Sequence, residues 1–527
     1  MSDLQKAPAD LAEAPKAGRR EWIGLGVIAL PCLLYSMDLT VLNLAVPRLS
    51  ADLKPSASQL LWIVDIYGFM IAGALITMGT LGDRVGRRKL LMIGAVAFGA
   101  ASILAALSTS AEMLIVARAL LGLSAATLAP STLSLIRNMF LDPRERTFAI
   151  GIWISCFSAG GAIGPLVGGV LLTYFWWGSV FLIAVPVMVL LLILAPLLLP
   201  EFRDSEAGHL DIASAALSLI AVLATIYGIK GMAQNGFGTG AALAIGVGVV
   251  VGALFVRRQR KLADPLIDLS LFRSVAFSAS LAINILGFFV AFGIFLLVAQ
   301  YLQLVLGLSP LAAGLWSAPS AVGFIAGSML APAMMNLARP AYVIAGGFVL
   351  ASTGFLLLSR IGAEDPLPFI VAGYVVLSFG LAPVFTLATD LIIGTVPPER
   401  AGAAAGLAET SSEFGGALGI AILGSVVTAL YRDAMLMTMP VGVPPQVVDI
   451  ARDTVGGAVA EASALGEPLG ESLLVAARIA YAQSFQAAAI ICALVALAAA
   501  LMASVLLRRI PLPASEESLV EEQPAGC

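Results

Sequence analysis

Four acidic residues lie within stretches that are long and apolar enough to cross a lipid bilayer. Charged side chains are costly in hydrocarbon, so acids in such positions usually mark the path of an ion or a substrate. Glu409 and Glu413 are four residues apart, which places both on one face of a helix. Two neighbouring carboxylates repel each other when both are ionised, so one of them readily holds a proton and can release it when a cation binds. The other two acids are Asp38 and Asp65.

The composition is that of a polytopic membrane protein. Of 527 residues, 60% are hydrophobic and 12% are charged, whereas a soluble domain has about 25% charged residues. There is no Ser–His–Asp set and no phosphate-binding loop, and a single histidine, His209, argues against a histidine-based catalytic or metal site. We therefore expect a transporter without a cofactor, a metal or a nucleic-acid partner, rather than an enzyme. The cysteines are expected to fill apolar space and are Cys32, Cys156, Cys492 and Cys527.

Fourteen apolar runs have the length of about 20 residues that a helix needs to cross a bilayer. The first follows a polar tail, residues 1–21, and lacks a small-residue cleavage site, so it is predicted to be a span rather than a signal peptide. Lys and Arg concentrate in the loops on the side of the N-terminus, which predicts that both termini are cytoplasmic. The runs centre on 22–45, 60–81, 90–108, 112–137, 147–173, 178–199, 211–230, 240–256, 275–305, 310–332, 340–359, 366–393, 402–430 and 480–507.

Between the second and third runs, residues 79–89 read GTLGDRVGRRK. The glycines allow helices to approach closely and permit a tight turn. The acid can face an arginine or a helix N-terminus and so close this side of the protein. The stretch resembles the G-x-L-x-D-R-x-G-R-[RK] loop of the major facilitator superfamily, and the alternative is an ordinary basic loop. The resemblance implies a gating role for Gly79, Gly82, Asp83, Arg84, Gly86, Arg87 and Arg88.

The fourth run contains Arg118, and a guanidinium in an apolar helix needs an acidic or carbonyl partner. Residues 114–122, LIVARALLG, resemble the superfamily motif in which such an arginine is associated with proton coupling. Two roles of Arg118 stay open, and they do not exclude each other. One is a structural pairing with an acid such as Asp38 or with backbone carbonyl groups. The other is a part in proton coupling.

The fifth run is rich in glycine around one proline, Pro165. A proline lacks a backbone donor and is expected to bend the helix, while Gly164 and Gly168 form a face for close helix packing. Residues 160–169 resemble the G-x-x-x-G-P-x-x-G-G signature of antiporters in the same superfamily, and the alternative is a generic packing helix. The expected gating residues here are Gly160, Gly164, Pro165, Gly168 and Gly169.

The segments around the four acids resemble the fourteen-span drug:proton antiporters of the superfamily, which export quaternary ammonium compounds, dyes and fluoroquinolones. In that group the first-span acid is linked to proton coupling, and the second-span acid to substrates or coupling. A further acid that some relatives carry in the tenth span is absent from residues 322–324. Glu409 and Glu413 are therefore the main acids expected to bind the cation, and recognition of divalent cations is less expected. The loop at 336–340 keeps only Arg339 of the loop motif. The expected proton-coupling residues are Asp38, Arg118, Glu409 and Glu413.

Aromatic side chains are candidates for the wall of a binding cavity, although each is more often a packing or interface residue. Asp390, near the end of the twelfth run, is interpreted as a structural cap or loop partner. The candidate substrate-binding residues are Glu409, Glu413, Asp65, Tyr67, Trp62, Phe292 and Trp316.

The resemblance implies an all-α membrane protein with the major facilitator fold, in which two six-helix bundles are related by pseudo-twofold symmetry and a helix pair is inserted between them. The loop at 431–479 is predicted to lie outside and to hold short helices near 446–464 and 468–478. The predicted parts are the N-terminal tail 1–21, the first bundle 22–200, the inserted pair with its connectors 201–273, the second bundle with that loop 274–507, and the C-terminal tail 508–527.

These features predict proton-coupled efflux of lipophilic, mainly monovalent cations by alternating access in the plasma (inner) membrane of a bacterium. A buried carboxylate holds a proton or binds a cation, but not both strongly. The protein is expected to act as a monomer in the bilayer, with protons and hydrophobic cations as its partners. The alternative is a proton-coupled exporter of an endogenous metabolite, lipid or siderophore. A membrane sensor or scaffold is a remote alternative, because the tails are too short for a signalling domain.

Overall fold

The computed structural model describes residues 15–55, 57–203, 211–235, 238–262, 265–362 and 367–510. Within these residues, 13 helical segments are long and apolar enough to cross a membrane, and one further bent helix brings the number to 14. The prediction of a fourteen-span, all-α membrane protein is confirmed. His209 and Cys527 lie outside the described residues, as do most of the two predicted tails.

The helices follow one another with short connections, and α6 and α7 together form one span. Short 3-10 turns at 269–273 and 398–400 and a π-helical turn at 301–305 accompany them. The α-helices are α1 (Arg19–Leu53), α2 (Ala57–Val85), α3 (Arg87–Ala106), α4 (Ala111–Met139), α5 (Pro143–Tyr174), α6 (Ser179–Leu182), α7 (Ala184–Leu198), α8 (Ile212–Asn235), α9 (Thr239–Gln259), α10 (Val275–Gln300), α11 (Pro310–Leu337), α12 (Pro340–Leu358), α13 (Leu367–Gly394), α14 (Ala401–Thr438), α15 (Pro445–Asp453), α16 (Val455–Leu465) and α17 (Leu469–Leu506).

The helix starts follow from local chemistry. The side chain of Ser110 accepts a hydrogen bond from the backbone of Met113, and that of Ser309 accepts one from Ala312. Asp142 caps α5 in the same way, with Pro143 at the first helical position. Such caps satisfy backbone N–H groups that have no partner within the helix.

The segment that follows α14 differs from its prediction. The predicted helix at 446–464 is two helices, because Thr454 adopts an extended conformation and caps α16. The predicted helix at 468–478 is the beginning of α17. No proline follows Pro468 before the end of that helix, so the helix continues from the loop into the apolar run.

The two bundles repeat one packing pattern. α1 packs with α5 as α10 does with α14, α2 with α4 as α11 does with α13, and α3 with α7 as α12 does with α17. The bundles meet along two seams, one between α2 and α14 and the other between α5 and α11. One end of the assembly, the basic end, holds the loops at 83–89, 142–147 and 257–261. The opposite end, the hairpin end, holds α15 and α16.

The inserted pair covers one of these seams. α8 packs against both α2 and α14, and α9 packs along α8. Phe69 and Ala72 of α2, Ile226 and Ile229 of α8, and Ala417 of α14 belong to one apolar cluster. The connector after α9 continues this cover at the basic end, because the carbonyl oxygen of residue 266 accepts a hydrogen bond of 3.1 Å from the hydroxyl of residue 80 in α2.

Candidate functional site

A buried ion pair joins α1 and α4. Arg118 is fully buried, and its Nη1 donates to Oδ2 of Asp38. Its Nε donates to the carbonyl oxygen of Ile63 at 3.1 Å, and its guanidinium carbon lies 4.6 Å from the centre of the Tyr67 ring. An acid, a carbonyl group and an aromatic face therefore surround this cation, as a buried charge requires.

The two acids of α14 face the first bundle. The hydroxyl of Tyr35, on α1, donates to Oε1 of Glu413 at 2.8 Å and so bridges the two bundles near their middle. Glu409 interacts electrostatically with Glu413 and with Tyr35. The carboxylates thus lie one helical turn apart on the side of α14 that faces α1.

Aromatic rings stand beside these acids. The Tyr35 ring centre is 5.5 Å from that of Phe157 and 6.1 Å from that of Tyr67. Phe157 lies 4.8 Å from Trp153, whose indole N–H donates to the hydroxyl of Thr132 at 3.0 Å. Aromatic faces attract cations and also offer apolar contact area. Together with the two carboxylates, this wall suits a lipophilic cation.

Sequence reasoning did not select Tyr35 or Phe157 for this site. Tyr35 precedes Asp38 by three residues and therefore shares its face of α1, which is a signal that the sequence contains. Its bond to Glu413 joins residues 378 positions apart, and no single-sequence pattern indicates such a contact. Phe157 carries no comparable local signal.

Other predicted substrate residues lie elsewhere. Asp65 is on the face of α2 that carries Trp62 and Phe69, not the face of Tyr67, because two residues turn a helix by about 200°. Trp62 is 41% exposed, and its ring stacks on that of Tyr227 in α8 at 6.3 Å between centres.

Two further aromatic candidates belong to the second bundle and are partly exposed. Phe292 of α10 is 46% exposed, and its ring centre lies 5.7 Å from that of Phe288. Trp316 of α11 is 42% exposed. Asp38, Arg118, Tyr67 and Glu413 form one connected group through Tyr35. The Phe292 ring lies against α14 close to Glu413, since a Cβ on Gly416 would be 3.2 Å from its Cγ.

At the basic end, an acid of α2 caps the N-terminus of α14. The carboxylate of Asp83 accepts hydrogen bonds from the backbone N–H of Gly402 at 3.3 Å and of Ala403 at 3.0 Å, and it pairs with Arg87. A negative charge is favoured at a helix N-terminus, so this contact holds the first seam closed. A Cβ atom on Gly79 would overlap the carbonyl oxygen of Gly402, so the helices touch through their backbones.

The turn after α2 needs a glycine. Gly86 has a φ of +114°, and a Cβ there would lie 2.6 Å from Oε1 of Glu201. That carboxylate accepts the backbone N–H groups of Arg88 and Lys89, each at 3.1 Å, at the start of α3. The Arg88 side chain donates to the carbonyl oxygen of Leu199 at 3.0 Å. Sequence reasoning did not select Glu201, which fixes the loop to the end of α7.

Two other predicted loop residues, Gly82 and Arg84, lie at the end of α2. Gly82 packs against Leu90 and Arg87, where a Cβ would approach to 3.3 Å and 3.4 Å. Arg84 is half-buried at the end of α2.

A second polar contact closes the other seam at the basic end. Asp390 of α13 accepts hydrogen bonds of 2.6 Å from Nε of Arg146 and 2.6 Å from the hydroxyl of Thr147, both in α5. The partner of Asp390 thus belongs to the opposite bundle, whereas sequence reasoning placed it in a local cap or loop. Gly151 of α5 also lies against α11, since a Cβ there would be 2.8 Å from the carbonyl oxygen of Ser328.

The glycines of α5 do not share one environment. Cβ atoms on Gly160 and Gly164 would overlap α1 atoms, including the carbonyl oxygen of residue 33, and one on Gly168 would lie 2.8 Å from a side-chain carbon of residue 41. A Cβ on Gly169 would meet nothing within 4 Å. α5 bends by 42° between residues 161 and 166. The missing backbone donor of Pro165 accounts for this bend.

The described part of the chain contains no cluster of three or more His, Cys, Asp or Glu side chains that could hold a metal ion. Cys32, Cys156 and Cys492 are free thiols. The candidate site therefore consists of carboxylates, one arginine, hydroxyl groups and aromatic rings.

Comparisons with known proteins agree on one family. The sequence model of the Major Facilitator Superfamily matches residues 28–420. The chain is 44% identical over 491 residues to the multidrug efflux pump LfrA of Mycolicibacterium smegmatis, covering 93% of this chain and 97% of that protein. It is 33% identical to the methyl viologen resistance protein SmvA of Salmonella typhimurium, covering 89% and 94%. The crystal structure of the human organic anion transporter MFSD10 matches with a TM-score of 0.58 at 14% identity, covering 90% and 99%.

Proposed function

Because the chain belongs to the Major Facilitator Superfamily, we propose that it exports lipophilic, mainly monovalent cations in exchange for protons. It is a membrane transporter, not an enzyme, and its relatives include multidrug and antibiotic efflux proteins. The observation that carries the proposal is the carboxylate pair Glu409 and Glu413 beside the rings of Tyr35, Phe157 and Trp153.

The charge and shape of this site favour cations with apolar bodies. The two carboxylates attract the positive charge of the cation. Burial of the cation's apolar surface against the aromatic rings is also favourable. An additional acid on α11 would strengthen the negative electrostatic field of the site. This chain has Phe324 there, and its ring centre lies 5.9 Å from that of Phe385. A site with two acids suits a monovalent cation plus one proton-binding group better than a divalent cation.

Exchange follows from competition for the same carboxylates. A protonated pair has lost the charge that binds the cation, whereas a bound cation favours release of the proton. Asp38 and Arg118 form a separate charged group in the first bundle, and we assign the second proton-sensitive position to Asp38. The proton gradient across the membrane then drives cations outward.

We assign the basic end to the cytoplasm, because Lys and Arg concentrate there. Both termini are then cytoplasmic, and the protein acts as a monomer in the inner membrane of a bacterium. With Asp83 and Asp390 holding both seams at this end, the structure corresponds to the state that is sealed from the cytoplasm.

The test is transport by purified protein in proteoliposomes under an imposed pH gradient, with tetraphenylphosphonium, ethidium and methyl viologen as probes. A hydrogen-bonded charge contributes about 1.5–3 kcal/mol, so Glu413→Gln should reduce uptake of the monovalent probes by about tenfold or more. Glu409→Gln removes the second carboxylate and should reduce this uptake as well. Glu471→Gln, an exposed acid at the hairpin end, is the matched control and should retain wild-type transport.

Absence of gradient-driven uptake of every cation by the wild-type protein would refute the proposal and favour an exporter of an endogenous compound. Preferred uptake of methyl viologen would contradict the assignment to monovalent cations while leaving cation efflux intact.

A further inference from the structure

We propose that Tyr35 and Tyr67 are the positioning residues that couple the charge state of Asp38 to cation binding at Glu413. This inference rests on the proposed function and deepens it. The two tyrosines stand between an ion pair in one bundle and a carboxylate in the other, and every link between them is a contact in the structure.

The first link is α1 itself. Asp38 and Tyr35 lie three residues apart on one face of this helix. Asp38 binds Arg118 of α4, whereas the Tyr35 hydroxyl donates to Glu413 at 2.8 Å. A shift of α1 relative to α4 therefore changes both contacts together.

The second link is Tyr67. Its ring lies 4.6 Å from the guanidinium carbon of Arg118 on one side and 6.1 Å from the ring centre of Tyr35 on the other. Its hydroxyl is buried, and among the described residues it has no hydrogen-bond partner. A buried hydroxyl without a partner is costly, which suggests that it gains one in another state of the transport cycle. Asp38, Arg118 and Glu413 all lie within electrostatic reach of it.

Asp38 also has space for a water molecule. It lines a cavity of about 10 Å³ between α1, α3 and α6, together with Phe98, Ser102 and Phe181. A volume of roughly 10–15 Å³ holds one water. A single water in this cavity would contact Asp38 and Ser102 within the first bundle.

Coupling then proceeds through the ion pair. Protonation of Asp38 removes its attraction for Arg118 and loosens α1 from α4. Tyr35 moves with α1, its bond to Glu413 weakens, and the hydroxyl of Tyr67 approaches the groups that the movement releases. The titratable groups that interact electrostatically with Glu413 include Glu409 on its own helix, Tyr35 on α1 and Tyr67 on α2. Asp38 and Arg118 interact with Tyr67, and Cys32 of α1 interacts with Glu409.

The test uses variants that remove only a hydroxyl group. For Tyr35→Phe and for Tyr67→Phe in proteoliposomes, we expect uptake of tetraphenylphosphonium driven by a pH gradient to fall by about tenfold. Tyr431→Phe, which removes a buried hydroxyl bound to the carbonyl oxygen of Ala451 outside the site, should leave this uptake unchanged.

A binding measurement checks the coupling directly. Asp38→Asn, which mimics the protonated acid, should change the dissociation constant of tetraphenylphosphonium by about threefold or more in the wild-type and Tyr431→Phe backgrounds. The same substitution should have no effect in the Tyr35→Phe background. An equal effect in all three backgrounds, or no effect in the wild type, would overturn the inference.

The two proposals fail in different ways. If the wild-type protein neither binds nor transports tetraphenylphosphonium, the proposed function fails and this inference with it. If the wild type transports it and Tyr35→Phe retains gradient-driven uptake and the full effect of Asp38→Asn on binding, only the coupling role of the tyrosines is refuted.

Discussion

The acids in the apolar part of this protein differ in their partners. Asp38 is paired with Arg118, so its negative charge is balanced when it is ionised. Glu413 accepts a bond from the neutral hydroxyl of Tyr35, and Glu409 adds a second acid one turn away. Excess negative charge therefore lies on α14, which is where a cation is attracted. The sequence predicts the four acids, but their difference depends on partners from other helices.

Two further acids lie outside the spans, and each belongs to an ion pair whose protonation does not change in the physiological pH range. Hydrogen bonds from Arg258 and Ser214 hold the pKa of Asp211 well below its usual range. Partial desolvation acts to raise the pKa of Asp268, but hydrogen bonds from Ser270 and the charge of Arg400 outweigh it and lower that pKa. Both acids stay ionised near neutral pH, so any pH dependence of transport has another source.

The pKa of Asp211 is lower in the folded protein than in the unfolded chain, so its ionised form stabilises the fold above the unfolded pKa of about 3.9. This stabilisation is lost only as the pH falls toward the pKa of Asp211 in the folded protein. We expect Asp211→Asn to lower the melting temperature in detergent by a similar, small amount at about pH 5.5 and about pH 7.5. Differential scanning fluorimetry measures this. A destabilisation present at one of these pH values and missing at the other would contradict the account.

At the scale of elements, the length of an apolar run predicts where a helix lies in the sequence but not which other helices it contacts. The fourteen spans could be predicted because about 20 apolar residues suffice to identify each of them. The helix predicted at 468–478 and the last span form one continuous helix, α17, which apolar length alone did not indicate. The position of α8 over the seam between α2 and α14 depends on contacts between distant segments and has no signal in the sequence.

The glycines of α5 differ in their surroundings, although Gly160 and Gly169 belong to one motif. A methyl group on Gly160 meets the backbone of α1, whereas one on Gly169 meets nothing within 4 Å. Overpacking costs about 1–3 kcal/mol, so Gly160→Ala should lower thermal stability and gradient-driven uptake. Gly169→Ala, the control, should change neither. Equal effects of the two substitutions would show that α5 does not pack on α1 in this way.

At the scale of the whole molecule, the two bundles are joined at the basic end by contacts on both seams. Asp83 caps α14, and Asp390 binds Arg146 and Thr147 of α5. The loop at 336–340 keeps only Arg339 of the motif that forms the first contact, and that side chain donates to the carbonyl oxygen of Arg508. At the second seam Asp390 joins α13 to α5 instead, which the sequence does not indicate.

We expect Asp390→Asn to open the basic end more often, because the ion pair with Arg146 is lost. Ser328, which is fully buried, reports this opening when it is replaced by cysteine in a protein whose own cysteines are replaced. Labelling by a membrane-impermeant maleimide should become faster by about tenfold, the equivalent of about 1.4 kcal/mol. Asp211→Asn, which breaks an ion pair at the same end within the inserted pair and not at the seam between α5 and α11, should leave the labelling rate unchanged. Unchanged labelling in Asp390→Asn would show that Asp390 does not hold this seam.

The central claim is that cation and proton compete for one set of acids. It is tested most directly by proton release from purified protein when tetraphenylphosphonium is added in weakly buffered detergent solution. The wild-type protein should acidify the solution in proportion to the cation bound, and Glu413→Gln and Asp38→Asn should abolish this release while remaining folded. Wild-type release in both variants, or cation binding by the wild type without any release, would contradict the account.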